Sequence, residues 1–176
     1  MGWLKDSRED LKRLKSVYEM NPLLAILANR GFHALFVYRL CNRLYRWRIP
    51  LVPLILTRII QILYSIDIDY KASIQGGVII IHGVGLVIGE GATVASETIF
   101  YHGVTLGRKK QGKRLCAGDG FPTIGRKCVL GAGAKLIGSI KIGENVVIGP
   151  NCVITHDVPA GSLIKINEQS YSIKKI

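Results

Sequence analysis

Between Ile124 and Ile154 an aliphatic residue returns every six positions: Ile124, Leu130, Leu136, Ile142, Ile148 and Ile154. Glycine follows that residue at Gly125, Gly131, Gly143 and Gly149. A period of six is neither the 3.6 of a helix nor the strict alternation of a long half-buried strand. It predicts short strands joined by tight turns, one inward side chain per turn of a coil. Many such turns in series describe a parallel β-helix. The same register opens earlier, at Ile68, Ile74 and Ile80, and resumes after two extra residues with Ile88, Val94, Phe100 and Leu106. A second interruption, 108–123, leaves and re-enters in phase, because Leu106 to Ile124 is three hexads. It carries Lys109, Lys110, Lys113 and Arg114 among glycines and is expected to project from the body, as long loops in tight scaffolds often serve function.

Upstream of the hexads the spacing is helical. Leu4, Leu11, Leu14 and Val17 predict one amphipathic helix over 2–20, and Asn21-Pro22 ends it, with Asn21 placed to cap the next. A second helix is expected from Leu23 to about Arg48, its end crowded by Arg39, Arg43, Arg46 and Arg48. These arginines suit a helix C-terminus, or form with Tyr45 and Trp47 a basic surface for anionic lipid. Leu54 to Tyr64 predicts a short apolar helix covering the edge of the solenoid. The expected division is a basic helical segment over 1–65, a β-helix over 66–160 with a loop at 108–123, and a tail over 161–176.

Composition changes this picture in three ways. At 176 residues and 48% apolar, the chain suits one domain with an appendage. The formal charge of +12 points to anionic partners, but no RNA-binding or helix-turn-helix signature accompanies it, so no nucleic acid is expected. Cys41, Cys116, Cys128 and Cys152 have neither CxxC nor secreted spacing and read as reduced thiols of a cytoplasmic protein. No signal peptide is evident, and 49–64, interrupted by prolines and Arg58, is too short to span a bilayer.

His82 lies two positions after inward Ile80, and His102 two positions after inward Phe100. Three hexads make one coil, so their separation of twenty is one coil plus the two inserted residues. The imidazoles should stack on adjacent coils beside the insertion, where a neutral histidine suits a general base. Asp67 and Asp69 enter just below His82, and Glu90 and Asp119 are further acidic candidates. His33 and His156 fall elsewhere, and no metal site is expected.

The segment IDIDYKASIQGGVIIIHGVGLVIGE, followed by VTLGRKKQGKR and LGAGAK, resembles the serine acetyltransferase family over roughly residues 66–160. The resemblance implies a left-handed parallel β-helix, a homotrimer, and acetyl transfer from acetyl-CoA to a hydroxyl. It matches the family's catalytic histidine and partner aspartate to His82 and Asp67. It also places the cofactor along Gly107, Gly131, Ala132 and Pro150, between adjacent subunits. Two positions depart. The family's aspartate before the histidine is Ile81 here, and its Arg-His-Pro is Gly120-Phe121-Pro122. The Tyr101–Gly107 motif, YHGVTLG, is similar to capsule and exopolysaccharide acetyltransferases of the colanic acid type.

The expectation is thus a mainly β protein, a left-handed parallel β-helix of hexapeptide repeats preceded by a small α-helical segment. It would be an acetyl-CoA-dependent O-acetyltransferase acting on a sugar or polysaccharide hydroxyl. His82 would act as base, Asp67 orient it, and His102 position the acceptor or assist, with backbone N–H groups near Gly103 meeting the oxyanion. Lys109, Lys110 and Lys113 would meet cofactor phosphates; Ile81, Asp119 and Phe121 would line the acceptor site. The protein would be cytoplasmic, with the inner face of the membrane as one place where it could work. The alternatives are serine O-acetylation, a zinc-dependent carbonic anhydrase-like enzyme, and a non-catalytic β-helix that binds a membrane or a partner.

Overall fold

The computed structural model describes residues 2–49, 51–109 and 120–167. Four helices come first: α1 (Trp3–Tyr18), α2 (Pro22–Ala28), α3 (Arg30–Arg46) and α4 (Leu51–Tyr64). Five coils follow. The first holds β1 (Asp67–Ile68), β2 (Ser73–Ile74) and β3 (Ile79–Ile80); the second holds β4 (Val87–Ile88), β5 (Thr93–Val94) and β6 (Ile99–Phe100). The third holds β7 (Thr105–Gly107), β8 (Thr123–Ile124) and β9 (Val129–Leu130); the fourth holds β10 (Lys135–Ile137), β11 (Lys141–Ile142) and β12 (Val147–Ile148). The last holds β13 (Val153–Ile154) and β14 (Leu163–Ile164).

Corresponding strands stack in parallel into three faces. Face A runs β1-β4-β7-β10-β13, face B β2-β5-β8-β11, and face C β3-β6-β9-β12-β14. The register measures each coil directly. Asp67 pairs with Val87, Val87 with Thr105, Thr105 with Lys135 and Lys135 with Val153. Both departures from eighteen residues per coil are absorbed at corners. Every hexad residue from Ile68 to Ile154 named above is buried. A second inward column runs two positions earlier, through Ala92, Val104, Cys128, Ala134, Val146 and Cys152. Each aliphatic side chain removed from water contributes about 1.5–3 kcal/mol, so the core is a stack of equal increments. Cys128 and Cys152 are packing residues in that stack, as their spacing suggested, and burial raises the Cys128 thiol pKa.

The helices cover the first two coils. Ile79, Ile81 and Ile99 point away from the coil interior, yet they pack with Leu14, Ala25 and Phe32 in a second cluster. Gly31 makes this possible, since a Cβ there would lie 2.3 Å from the Ile80 carbonyl oxygen. α4 packs on α3 and on β1, the edge strand of face A.

Three features differ from the sequence-based expectation. The helix expected from Leu23 to Arg48 is two, because the Asn29 side chain accepts the Phe32 N–H at 2.8 Å and starts a new helix. Asn21 does cap α2, accepting the Leu23 N–H at 2.9 Å. The buried side of α1 takes Leu14 and half-buried Leu11 from the expected stripe but is completed by the polar Ser7 and Asp10, while Leu4 and Val17 are exposed. The reason is Arg39, which is buried and so no part of the basic surface. Its Nε donates to Asp10 Oδ2 at 2.9 Å and its Nη2 to Oδ1 at 2.9 Å. Further donations reach the carbonyls of Ile74 and Gln75, both at 3.0 Å. Asp10 also accepts the Val78 N–H at 3.0 Å. Burial nevertheless pushes the Asp10 carboxyl up to about 6, against the pull of Arg39.

Candidate active site

The corner joining face C to face A is built from repeated tight turns. Gly85, Gly103 and Gly133 occupy equivalent places with positive φ, and Asn151 continues the column. The first turn is wider than the others. Ile81 N–H donates to Phe100 O, whereas Gly103 N–H donates to Val84 O, so the coil offset drops from twenty to eighteen across Gly83 and Val84. These are the two inserted residues. His82 and Gly83 both take positive φ, +63° and +67°, outside the regular column. A non-glycine residue held there is uncommon, and such conformations concentrate at functional sites. The turn is fixed by Gly83 N–H to Ile81 O at 2.7 Å and Val84 N–H to His82 O at 2.9 Å.

This bulge carries the His82 ring outward beside that of His102. The ring centroids are 6.2 Å apart with planes at 63°, an edge-on pair, and both residues are exposed. Ala132 and Pro150 occupy the same corner position on the coils beyond His102, and Gly131 precedes Ala132 there. Beyond the histidines the edge thus carries the small residues Gly131, Ala132 and Pro150. Gly107 lies at the opposite end of face A, paired with Ile137, and half-buried Arg108 and exposed Lys109 follow it. These groups suit an acetyl-CoA phosphate by charge. Lys110, Lys113 and Asp119 lie outside the described residues.

Asp67 sits on β1 at the same corner, but it shares no hydrogen bond with His82 among the described residues. Its Oδ2 accepts from Gln61 Nε2 of α4 at 3.3 Å. The other acids are engaged elsewhere. Asp69 accepts the Lys71 N–H at 2.8 Å, and Glu90 pairs with Lys71 at 3.1 Å. The Gly103 N–H is taken by Val84 O, so the oxyanion donor expected near Gly103 is not that group. His33 bonds Tyr64 among the helices and His156 bonds Thr155 on the last coil, both away from the corner.

Of the three acceptor-lining positions, the two that are described, Ile81 and Phe121, are taken up in packing. Ile81 sits half-buried against the helical cluster. Phe121 lies over Gly89 and Gly91, where a Cβ would come within 2.1 Å and 2.5 Å of its ring. It anchors the returning loop at the A–B corner, at the other end of face A from the histidines. Two neighbours of the site escaped sequence reasoning. Gln61 stands six residues before Asp67 on a helix read only for its apolar content. Lys135 donates its ammonium to the Gly103 carbonyl, a contact that becomes legible once the loop is known to return in phase and to pair Lys135 with Thr105.

The family described as bacterial transferase hexapeptide (six repeats) matches residues 121–156. A serine acetyltransferase of Synechococcus elongatus is 42% identical over 142 residues, spanning 80% of this chain and 56% of that protein. A serine acetyltransferase of Helicobacter pylori is 40% identical over 144 residues, 81% of either chain. The chain belongs to the serine acetyltransferase family. The crystal structure of serine acetyltransferase isoform 3 from Entamoeba histolytica, in complex with cysteine, superposes with a TM-score of 0.86 at 32% identity. That match covers 99% of this chain and 62% of the amoebal one. This chain thus spans less than two thirds of the Synechococcus and amoebal proteins. The architecture is the family's left-handed parallel β-helix with a helical N-terminal segment. These relatives are all serine acetyltransferases, so the colanic acid-type branch gains no support from them.

Proposed function

We propose that this chain transfers an acetyl group from acetyl-CoA to the hydroxyl of L-serine, at a site centred on His82. The observation that carries the reading is the exposed His82–His102 pair in the one widened turn of an otherwise regular corner. Among solved serine acetyltransferases similar to this chain, one is in complex with CoA and another with serine. In the proposed reaction acetyl-CoA supplies the acetyl group as its thioester. His82 takes the proton of the acceptor hydroxyl as that oxygen bonds to the carbonyl carbon, and returns it to the sulfur as the C–S bond breaks. His102 positions the acceptor. Asp67, held by Gln61, orients His82 once the site is assembled. Lys109, Lys110 and Lys113 meet the phosphates, and the edge from Gly131 and Ala132 to Pro150 lies along the pantetheine. The loop side of the site, near Gly107 and Phe121, and the histidine side lie at opposite ends of face A. A homotrimer would bring the loop edge of one copy to the histidine edge of the next.

A second reading, a sugar hydroxyl as acceptor, is favoured by one observation. Ile81 and Phe121 stand where the family resemblance implies groups that recognise serine's charged ends or its hydroxyl, and both are committed to apolar packing. A charge-assisted hydrogen bond contributes about 1.5–3 kcal/mol, so serine binding would have to draw on other groups. Thiol release from acetyl-CoA, followed with L-serine and with a panel of sugar acceptors, decides between them. Turnover with serine at ordinary concentrations is expected; turnover with a sugar alone overturns the serine assignment. His82→Ala is expected to lower turnover by about 10²–10⁴ while the oligomer persists. Near-parent turnover in that variant would end the mechanism.

A further inference from the structure

We propose that the helical segment seats this protein on an anionic membrane surface, the outer faces of α2 and α4 lying among the lipid acyl chains. A surface helix normally turns its polar side to water; α4 does the reverse. Toward the protein it presents Thr57, Gln61 and Tyr64 beside Pro53 and Ile60, whereas Leu51, Leu54, Ile55, Ile59, Ile62 and Leu63 face outward. Ile62 is 80% exposed. The short α2 does the same, with Leu27 at 70% and Leu23 at 64%. The two faces are continuous, because Ile26 and Leu63 line one apolar groove of about 530 Å³ between the helices. Its lining includes a single cation, Arg8.

Charge identifies what covers this surface. From Met20 to Ile66 the chain holds six arginines and no Asp or Glu. Arg39 is consumed by Asp10, which leaves Arg30, Arg43, Arg46, Arg48 and Arg58 exposed. Arg58 stands within the apolar face of α4. Trp47 is exposed just before that helix, with the Arg43 guanidinium 4.7 Å above its ring. A second copy laid on this surface would oppose these guanidinium groups with no carboxylate between them. A layer of anionic headgroups supplies the counter-charge, the aliphatic ridge enters the acyl boundary, and the arginines reach back to the phosphates. No helix among the described residues is long and apolar enough to cross a membrane, so the contact lies in the plane of the interface. The inference stands whichever hydroxyl is acetylated.

The test is flotation of the full chain with vesicles of phosphatidylcholine alone and of phosphatidylcholine with phosphatidylglycerol, at low and high salt. Ile59→Glu/Ile62→Glu and Arg46→Gln/Arg48→Gln are run beside the parent, with thermal midpoints and solution mass for each. Binding to the anionic vesicles is expected, weakened at least tenfold by salt and by either pair, at unchanged mass. The arginine pair lies on the exposed surface and keeps the test valid should the glutamate pair fail to fold. No binding to anionic vesicles, or equal binding to neutral ones, overturns the proposal. A fall in mass with the Ile59/Ile62 pair, at unchanged vesicle binding, overturns it in favour of contact between copies. The readout needs no turnover, so its failure is separate from failure of the proposed acetyl transfer.

Discussion

The Asp10–Arg39 pair fastens α1 to the first coil, and its removal has a calculable cost. Asp10→Ala leaves a guanidinium that is 3% exposed without its carboxylate, a loss of about 3–5 kcal/mol for a broken buried pair. It also orphans the Val78 N–H, worth about 1–3 kcal/mol when buried without a partner. The two overlap, so about 4 kcal/mol is expected. The double variant Asp10→Leu/Arg39→Met removes both charges and leaves the Val78 amide, the Ile74 and Gln75 carbonyls and the Asp6 carboxylate, 3.9 Å from Arg39 in the parent, to find water. It should be more stable than Asp10→Ala, with a coupling energy of at least about 2 kcal/mol between the positions. Urea unfolding at one fixed protein concentration measures the energies, and hydrogen exchange of α1 amides shows where the loss falls. The pH dependence adds a check. The folded-state pKa of Asp10, about 6, lies above its ordinary 3.8. Its contribution is therefore fully present below the lower value and lost as pH rises through the upper one. The parent should lose stability relative to Asp10→Asn across that interval. A cost below about 1 kcal/mol for Asp10→Ala, with additive effects in the double variant, would refute the clamp.

Three further outcomes are expected. Gly31→Ala should cost about 1–3 kcal/mol through overpacking against Ile80, and because Ile80 leads into the His82 turn, turnover should fall with the thermal midpoint. Deleting Gly83 and Val84 together should restore eighteen residues to the first coil, leaving circular dichroism and the midpoint near those of the parent while acetyl transfer disappears; preserved activity would show that the bulge does not place His82. Tyr38 donates to Ala72 O at 2.6 Å, and burial pushes its phenol up to about 12. Its contribution is present below the ordinary value near 10 and lost as pH rises toward 12, on the order of 2 kcal/mol. Thermal midpoints of the parent and Tyr38→Phe should converge over that range.

The coils were legible because one of the two inward columns returns a large apolar side chain at every hexad, and both interruptions could be counted. The His82–His102 pair followed from that arithmetic alone. What the sequence hid was how the helices dock on the coils. Asp10 reads as one charge among many on α1, and only the three-dimensional approach of Arg39 shows it to be an inward residue. The break at Asn29 was missed because hydrophobic spacing ran on across a side-chain cap. Ile81 reads as a substrate position by family correspondence, yet the helices claim its outward face. Gln61 lay hidden for a similar reason, since its role depends on how α4 meets β1.

The uneven coil lengths bear on how such a protein changes over evolutionary time. Each coil closes at a corner and hands the next one the same three strand edges, whether twenty, thirty or eighteen residues separate Asp67, Val87, Thr105, Lys135 and Val153. Residues added at a corner are therefore invisible to the layers above and below. The scaffold has no need to re-solve its packing when a turn widens by two residues or a loop lengthens by twelve. Chemistry at the edge can be rewritten while the core stays as it is, and new acceptor specificities can be grafted there by changing length as readily as by changing residues.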